Sequence, residues 1–170
     1  MWDIAKQADR PNIGLCLDTF QEAGAQWADP TKKSGRIEHN DLSRAQLTDR
    51  YVASLKELAK TVPADKIYVL QISDAYRPRP SLDDTPDASG TRPKGQWSMA
   101  YRPMPFDGGY LPVIEMTRAI LDTGFRGVFS MEVFDGGPDG KGRKKDLEEY
   151  TTKSMANLRR LLEDAETSPL

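Results

Sequence analysis

The fold is indicated first by the short apolar run at residues 66–72, KIYVLQI. Two runs of the same kind lie on either side of it along the chain, NIGLCLD at 12–18 and GVFSMEVF at 127–134. Strands that are almost continuously apolar are typical of a parallel sheet covered on both faces. We therefore predict three strands, Asn12–Asp18, Lys66–Ile72 and Gly127–Phe134.

A helical pattern follows the first predicted strand after a polar loop at residues 19–40. Apolar side chains recur there at helical spacing and predict a helix over Asp41–Thr61, with Asn40 or Asp41 as its N-cap. The apolar residues of this pattern are Leu47, Val52, Leu55 and Leu58.

The other two strands are also followed by helical patterns. One helix is predicted over Leu111–Asp122, because Pro112 suits a first turn and Gly124 suits a helix end. A last helix begins near Lys144, and the tail after Glu163 is expected to fray. Between the second strand and its helix lies a stretch rich in Pro and Gly, residues 73–109, which we interpret as a lid-like loop without a helix.

The order is strand–helix repeated three times, after the end of a helix at residues 1–9. Alternating strands and helices imply right-handed crossovers and a parallel sheet, so we assign residues 1–170 to one domain of the α/β class. Three parallel strands are few for a free-standing sheet, and the two outer strands lack the Lys or Pro residues that guard natural sheet edges. We therefore expect either a homo-oligomer or a longer chain of which these residues are a part.

Composition argues against several classes of protein. The chain has 24 Lys and Arg against 26 Asp and Glu, a net charge of -2, which gives no long-range attraction for nucleic acid or an anionic membrane. The single Cys16 excludes an internal disulfide and is interpreted as a small buried hydrophobe. No apolar run is long enough to span a bilayer, and the N-terminus lacks a signal-type apolar core, so we expect a cytoplasmic protein.

Each predicted strand ends in polar side chains. Asp18 ends the first strand, Gln71 and Asp74 lie at the end of the second, and Glu132 lies near the end of the third. The carboxyl ends of parallel strands build the active sites of α/β folds. Two carboxylates and an amide oxygen that converge there favour a hard divalent cation such as Mg²⁺ or Mn²⁺.

These residues also have structural interpretations. Asp18 could cap the following segment, Gln71 could satisfy backbone groups, and Glu132 could pair with an arginine. Glu132 is the hardest to explain in this way, because an unpaired carboxylate within an apolar run is costly. Its expected partner is a cation or a metal ion.

Four motifs, in this order, resemble one known family. They are LCLDTF at 15–20, KIYVLQISDA at 66–75, WSMAYRPMPFDGGYLP at 97–112 and GFRGVFSMEVF at 124–134. Together they resemble the xylose-isomerase-like barrels of the sugar phosphate isomerase/epimerase superfamily, and most of all the 3-dehydroshikimate dehydratase group. The resemblance implies a partial (β/α)8 TIM barrel that consists of the three C-terminal strand–helix units.

The resemblance also implies roles for individual residues. Asp18, Gln71 and Glu132 correspond to ligands of a divalent metal, and Gln21 stands where the family often has a histidine ligand. An amide can coordinate a hard cation but cannot shuttle protons. Arg102 corresponds to an arginine that holds a substrate carboxylate, a task that suits the two parallel hydrogen bonds of a guanidinium.

The function implied is that of a metal-dependent lyase that dehydrates a small cyclic hydroxy-keto carboxylate such as 3-dehydroshikimate. The acid/base residues, and a further Glu ligand, would lie on strands that these residues do not include; His39 is interpreted as an exposed loop residue. Two alternatives stay open: an isomerase or epimerase of a keto sugar or its phosphate, and a catalytically inactive remnant that acts as an interaction or oligomerisation module.

Overall fold

The computed structural model describes residues 2–39, 41–167 and 170. Helices and strands alternate along most of the chain, with a short 3₁₀ turn at Ala64–Lys66. In chain order the elements are α1 Trp2–Ala8, β1 Leu15–Asp18, α2 Thr19–Gln26, α3 Arg44–Thr61, β2 Ile67–Ile72, α4 Pro93–Ala100, β3 Tyr101–Arg102, α5 Val113–Asp122, β4 Val128–Met131, β5 Phe134–Asp135 and α6 Leu147–Thr167.

The predicted parallel sheet is present, with the strands in the order β1–β2–β4. Asp18 lies opposite Gln71 in the register of β1 and β2, and Ile72 lies opposite Met131 in that of β2 and β4. The α/β class is therefore confirmed. The third strand is shorter than predicted, because the chain leaves the sheet after Met131 and then forms β5, which pairs with β3 in a separate antiparallel sheet.

The three-stranded sheet is covered on one face only. Leu15, Leu17, Leu70 and Ile72 point to one face and are buried there. Val128, which faces the other way, is 60% exposed. The expectation of a sheet covered on both faces is therefore wrong for these residues. The sequence pattern could not show this, because a strand face carries the same apolar residues whether or not other residues cover it.

The predicted loop at 19–40 contains a helix that sequence analysis missed. The helix α2 follows β1 without a linker, because the Asp18 carboxylate caps it and accepts hydrogen bonds from Phe20 N (2.8 Å) and Gln21 N (3.3 Å). Phe20 and Ala23 bury its inner face. The helix has only eight residues and contains Gly24, so periodicity alone could not find it.

The helix α3 begins later than predicted. Its N-cap is Ser43, whose hydroxyl accepts from Gln46 N while the Gln46 side chain accepts from Ser43 N. This reciprocal capping box fixes the start at Arg44. Of the two caps proposed from the sequence, Asp41 precedes the helix and Asn40 lies outside the described residues.

The stretch 73–109 is not a plain loop, so that prediction is wrong. It contains α4 and β3, and its first residues are fixed by backbone hydrogen bonds from Asp74 N to Pro103 O (2.9 Å) and from Tyr76 N to Tyr101 O (2.9 Å). Pro93 occupies the first turn of α4, where a proline favours a helix. Trp97 is fully buried and anchors the helix in the core.

The remaining helices agree with the predictions except at their ends. The helix α5 packs against both α3 and α6, and its residues Met116 and Ile120 are completely buried. The helix α6 begins at Leu147 rather than Lys144 and continues beyond Glu163 to Thr167. Leu161 and Ala165 are buried on α6, and their packing extends the helix into the segment that was expected to fray.

Candidate active site

Polar side chains from four elements meet at the carboxyl ends of the parallel strands. Asp18 and Gln71 are register partners at the ends of β1 and β2. Glu132 follows β4, and its backbone N–H donates to Ile72 O (2.9 Å). Arg102 comes from β3 and lies between the two carboxylates. We call Asp18, Gln71, Arg102 and Glu132 the strand-end cluster.

Arg102 is the centre of this cluster and is 1% exposed. Its Nη2 donates to both oxygens of Asp18 (3.0 and 2.8 Å) and lies 3.6 Å from Glu132 Oε2. Its Nε donates to Ser73 Oγ (2.8 Å), and the guanidinium stacks on Phe20 at 4.6 Å from the ring centre. Within the described residues Nη1 makes no hydrogen bond to protein, so one nitrogen is left for a ligand.

Asp18 has two structural roles at once. It caps α2 through Oδ1 and forms the ion pair with Arg102. The structural interpretations of Asp18 and Glu132, a cap and an arginine pair, are therefore both present in the structure. They do not exclude a bound cation, because each carboxylate oxygen has more than one acceptor direction.

Glu132 is the least satisfied member of the cluster. Its Oε2 is buried and has no hydrogen-bond donor in the described part of the chain. Desolvation raises the pKa of Glu132 above its usual range; the Arg102 charge opposes the shift, and the nearby Asp18 carboxylate adds to it. This buried oxygen accepts no hydrogen bond and lies near a second carboxylate. A cation bound there would stabilise both charges.

Gln71 contacts Cys16 rather than backbone groups. The Cys16 thiol donates to Gln71 Oε1 (3.3 Å). Cys16 is exposed, so the interpretation of it as a buried hydrophobe is wrong; alternation along β1 turns it to the uncovered face of the sheet. Desolvation, followed by the charges of Glu132 and Asp18, raises the pKa of the thiol, which keeps it protonated as a donor.

Gln21 is exposed on the first turn of α2, three residues after Asp18. Its backbone N–H, 3.3 Å from Asp18 Oδ1, is the part of the residue that reaches the cluster. The structure thus joins Asp18, Arg102 and Glu132 through ion pairs and places Gln71 opposite Asp18, whereas Gln21 contacts the cluster through its backbone N–H.

The strand-end cluster fits a divalent cation in part. Its two carboxylates and one guanidinium sum to a net charge of -1, and its oxygens are hard donors. Glu132 Oε2 lies 3.6 Å from Arg102 Nη2 and accepts no hydrogen bond within the described part of the chain. Among residues 2–39, 41–167 and 170, however, no three His, Cys, Asp or Glu side chains are grouped to hold a metal ion. These residues can supply some of the oxygen ligands, and the others must come from water, substrate or further protein groups.

Sequence analysis missed two small residues that support Arg102. Ser73 Oγ accepts from Arg102 Nε, while Thr19 Oγ1 donates to Ser73 O (2.6 Å) and accepts from Ser73 N (3.1 Å). Both residues directly follow strands, β2 and β1, and both are buried. Ser and Thr after a strand are common in turns, so no signal in the sequence separates this role from an ordinary loop.

Asp74 anchors the segment after β2 and does not join the cluster. Its Oδ1 accepts from Ala75 N (2.7 Å) and Leu111 N (2.8 Å). The backbone of Gly109 lies against this carboxylate, since a Cβ there would be 2.1 Å from Asp74 Cγ. Desolvation outweighs the backbone hydrogen bonds and raises the pKa of Asp74 from its ordinary 3.8 to about 6.

This raised pKa predicts a pH dependence of stability. The folded state binds the Asp74 proton more tightly than the unfolded state, so the contribution of Asp74 is greatest below about pH 4 and is lost as pH rises through about 6. A shift of about two units corresponds to about 3 kcal/mol. Urea unfolding at pH 4 to 7 should show this decline, and the D74N variant should show less of it. Parallel curves for the two proteins would contradict the assignment.

The architecture and the strand-end residues can now be compared with known proteins. A family model described as "Xylose isomerase-like TIM barrel" matches residues 1–166. The chain belongs to the xylose isomerase-like TIM barrel family. The three-stranded parallel sheet with its open face is accordingly part of a TIM barrel, and the resemblance inferred from the four motifs is confirmed.

Among curated members of related sequence, a 3-dehydroshikimate dehydratase of Neurospora crassa is 32% identical over 169 residues, which are 96% of this chain and 45% of that protein. A 3-dehydroshikimate dehydratase of Pseudomonas aeruginosa is 27% identical over 136 residues, 80% of this chain and 15% of that protein. The chain therefore spans less than half the length of the curated relatives it matches, within a family that includes enzymes.

Solved structures show the same fold at lower identity. A xylose isomerase-like TIM barrel/4-hydroxyphenylpyruvate dioxygenase fusion protein superposes with a TM-score of 0.63 and 22% identity, over 96% of this chain and 19% of that one. The IolI protein with a binding zinc atom gives a TM-score of 0.56 and 17% identity, over 98% of this chain and 44% of that one.

In the part of this chain that the structure describes, no helix is long and apolar enough to cross a membrane.

Proposed function

We propose that this chain forms part of the active site of a divalent-metal-dependent lyase, which removes water from a cyclic hydroxy-keto carboxylate such as 3-dehydroshikimate. The name of the relative that is 32% identical along nearly the whole chain supports the reaction. The observation that carries the proposal is the strand-end cluster, with its two carboxylates paired to Arg102 and with the buried Oε2 of Glu132, which accepts no hydrogen bond among the described residues.

Three side chains of the cluster would hold the metal. Asp18, Gln71 and Glu132 offer oxygens from adjacent strands, and the zinc atom of the IolI structure supports metal use within this fold. A bound divalent ion would stabilise the negative charge that develops on the ketone oxygen when the neighbouring proton is removed. The Gln21 amide, at the edge of the cluster, could add an oxygen ligand.

Arg102 would orient the substrate. Its Nε and Nη2 are held by Ser73 and Asp18, so the guanidinium plane is fixed before a ligand arrives. The remaining Nη1 can donate to a substrate carboxylate, which positions the ring beside Glu132. We assign the group that removes the proton to none of these residues, because Asp18, Gln71 and Glu132 are proposed to hold the metal, Arg102 to hold the substrate, and the Gln21 amide cannot accept a proton at neutral pH.

The direct test is a substrate assay with the full chain, with and without Mg²⁺ or Mn²⁺. We expect metal-dependent loss of one water from 3-dehydroshikimate, which mass spectrometry detects. We expect no isomerisation of open-chain keto sugars. Turnover of a keto sugar alone would favour the isomerase alternative. Absence of turnover, together with metal binding that Glu132→Gln does not affect, would contradict the proposal.

The open face of the sheet supports a second proposal, that these residues work within a larger assembly. Val128 on β4 is 60% exposed, and among the described residues β1 and β4 each have an edge without a neighbouring strand. We propose that a second copy of this chain, or further residues of a longer chain, covers this surface. We also propose that the chain works in the cytoplasm, where its single free thiol, Cys16, would stay reduced.

Sedimentation of the isolated 170-residue chain at several concentrations tests this second proposal. We expect a mass that increases with concentration, and hydrogen exchange that is fast in β4 and slower in the associated form. A Val128→Lys variant should reduce association, whereas Met99→Lys, at another exposed apolar residue on α4, should not. A monomer that melts cooperatively at all concentrations would contradict the proposal.

A further inference from the structure

A cleft with a cavity volume of about 780 Å³ lies apart from the strand-end cluster. Its lining residues come from the segments that follow α2 and β2, from the first residue of α3, and from the residues before α5 and after β5. None of the strand-end cluster residues lines it. Four of its lining residues are arginines: Arg36, Arg44, Arg77 and Arg79.

These four arginines lack carboxylate partners. Among residues 2–39, 41–167 and 170, none of them forms an ion pair. Arg36 Nε is buried without a hydrogen-bond partner, although its guanidinium is held over the Trp27 ring at 4.5 Å. Arg36 and Arg44 line the same cleft, and desolvation, followed by the Arg44 charge, lowers the pKa of Arg36. Such an arrangement is costly unless an anion binds there.

The acidic residues near the cleft offset only part of this charge, because the two that line it pair with cations other than the four arginines. Asp107 pairs with Lys153 (2.6 Å), and Asp139 pairs with Arg143 (3.4 Å). Glu38, near Arg36 and Arg44, accepts from Ser34 Oγ (2.9 Å). The cleft therefore has an excess of positive charge, on a chain whose net charge is -2.

The walls of the cleft are fixed by packing. Gly35 has a φ of +72°, and a Cβ there would lie 2.8 Å from Arg77 Cδ and 3.0 Å from a Tyr110 ring carbon. Tyr110 Oη also donates to Gly35 O (2.5 Å). The absence of a side chain at Gly35 thus lets the segment after β1 pack directly on Arg77 and Tyr110, which holds Arg36 and Arg77 on the same cleft.

We propose that this cleft binds the phosphate group of a small phosphorylated ligand, at a site separate from the strand-end cluster. A phosphate dianion has three oxygens for the planar donor groups of several arginines, whereas one carboxylate is satisfied by a single guanidinium. The buried Nε of Arg36 gains an acceptor in this arrangement, and the repulsion between Arg36 and Arg44 is relieved.

The test is calorimetric titration of the full chain with inorganic phosphate, in chloride buffer at constant ionic strength. We expect saturable binding that Arg44→Gln weakens about tenfold, since it removes one charge-assisted contact. Arg50→Gln, an exposed arginine on the same helix, should bind phosphate as the wild type does. Arg36→Gln should weaken binding similarly, and Glu132→Gln should leave it unchanged.

Several outcomes would overturn the proposal. They are absence of saturable phosphate binding, equal loss of affinity in Arg44→Gln and Arg50→Gln, and equal or tighter binding of malonate, which would indicate a dicarboxylate site. Circular dichroism establishes that each variant is folded. If Arg36→Gln unfolds because it loses its stacking on Trp27, the exposed Arg44 still decides the question.

Discussion

Replacing Arg102 with methionine is expected to lower the free energy of unfolding by about 3–5 kcal/mol, the cost of removing one partner from a buried charge pair. Arg102 is 1% exposed, and its loss would leave the buried carboxylate of Asp18 without its cation. Methionine nearly fills the volume of the arginine stem, so the effect reports the lost charge and hydrogen bonds rather than a cavity. Urea unfolding at neutral pH measures it.

Two further variants make this prediction specific. Arg50→Met, at an exposed arginine on α3 without an ion pair among the described residues, should change stability by less than about 0.5 kcal/mol. Adding Glu132→Gln to Arg102→Met should recover part of the loss, because it removes the repulsion between the two carboxylates that Arg102 separates. A loss of less than about 1 kcal/mol for Arg102→Met would show that the ion pair is not important for the fold.

The second large effect is expected for metal affinity in Glu132→Gln. Glutamine keeps the shape of the side chain and removes one of the two carboxylates offered to the cation. Loss of even an outer-shell partner typically weakens metal binding by about 10–100-fold, and we expect at least this for a direct ligand. The free energy of unfolding should hold or rise, because desolvation and Asp18 already disfavour the charged form of Glu132. Titration with Mn²⁺ and urea unfolding give the two readouts.

A matched control for this variant is Glu57→Gln on the exposed side of α3, which should leave both metal affinity and stability unchanged. If Glu132→Gln destabilises the fold while Mn²⁺ affinity stays as in the wild type, Glu132 is only the structural partner of Arg102. Equal loss of affinity in both variants would indicate non-specific binding to surface carboxylates.

The parallel sheet could be predicted from the sequence because its strands are short apolar runs that alternate with helical patterns. The same property placed Asp18, Gln71 and Glu132 together, since the carboxyl ends of parallel strands meet at one edge. The local pattern also fixed α3 and α5 to within a few residues. These predictions depend on properties of short segments, which the sequence contains in full.

The partner of Arg102 could not be predicted, because it depends on tertiary packing. Arg102 is 84 residues from Asp18 and reaches it through β3, a two-residue strand that exists only by pairing with β5. The helix α4, which leads into β3, depends on Trp97, whose ring packs on Phe20 (4.4 Å between ring centres). Such contacts override local propensity, and the Pro and Gly content of the segment concealed them. The metal role of the cluster and the ligand role of Gln21 stay predictions.

Anomalous diffraction from crystals of the full chain grown with Mn²⁺ tests the central claim most directly, because it locates the ion without relying on turnover. We predict a single strong peak within about 2.0–2.6 Å of carboxylate oxygens of both Asp18 and Glu132, the range of oxygen ligands to hard cations, with the Gln71 amide in the same shell. Arg102 should stay paired with Asp18. Strong Mn²⁺ peaks elsewhere, with Glu132 still against Arg102 and no ion between the carboxylates, would contradict the account.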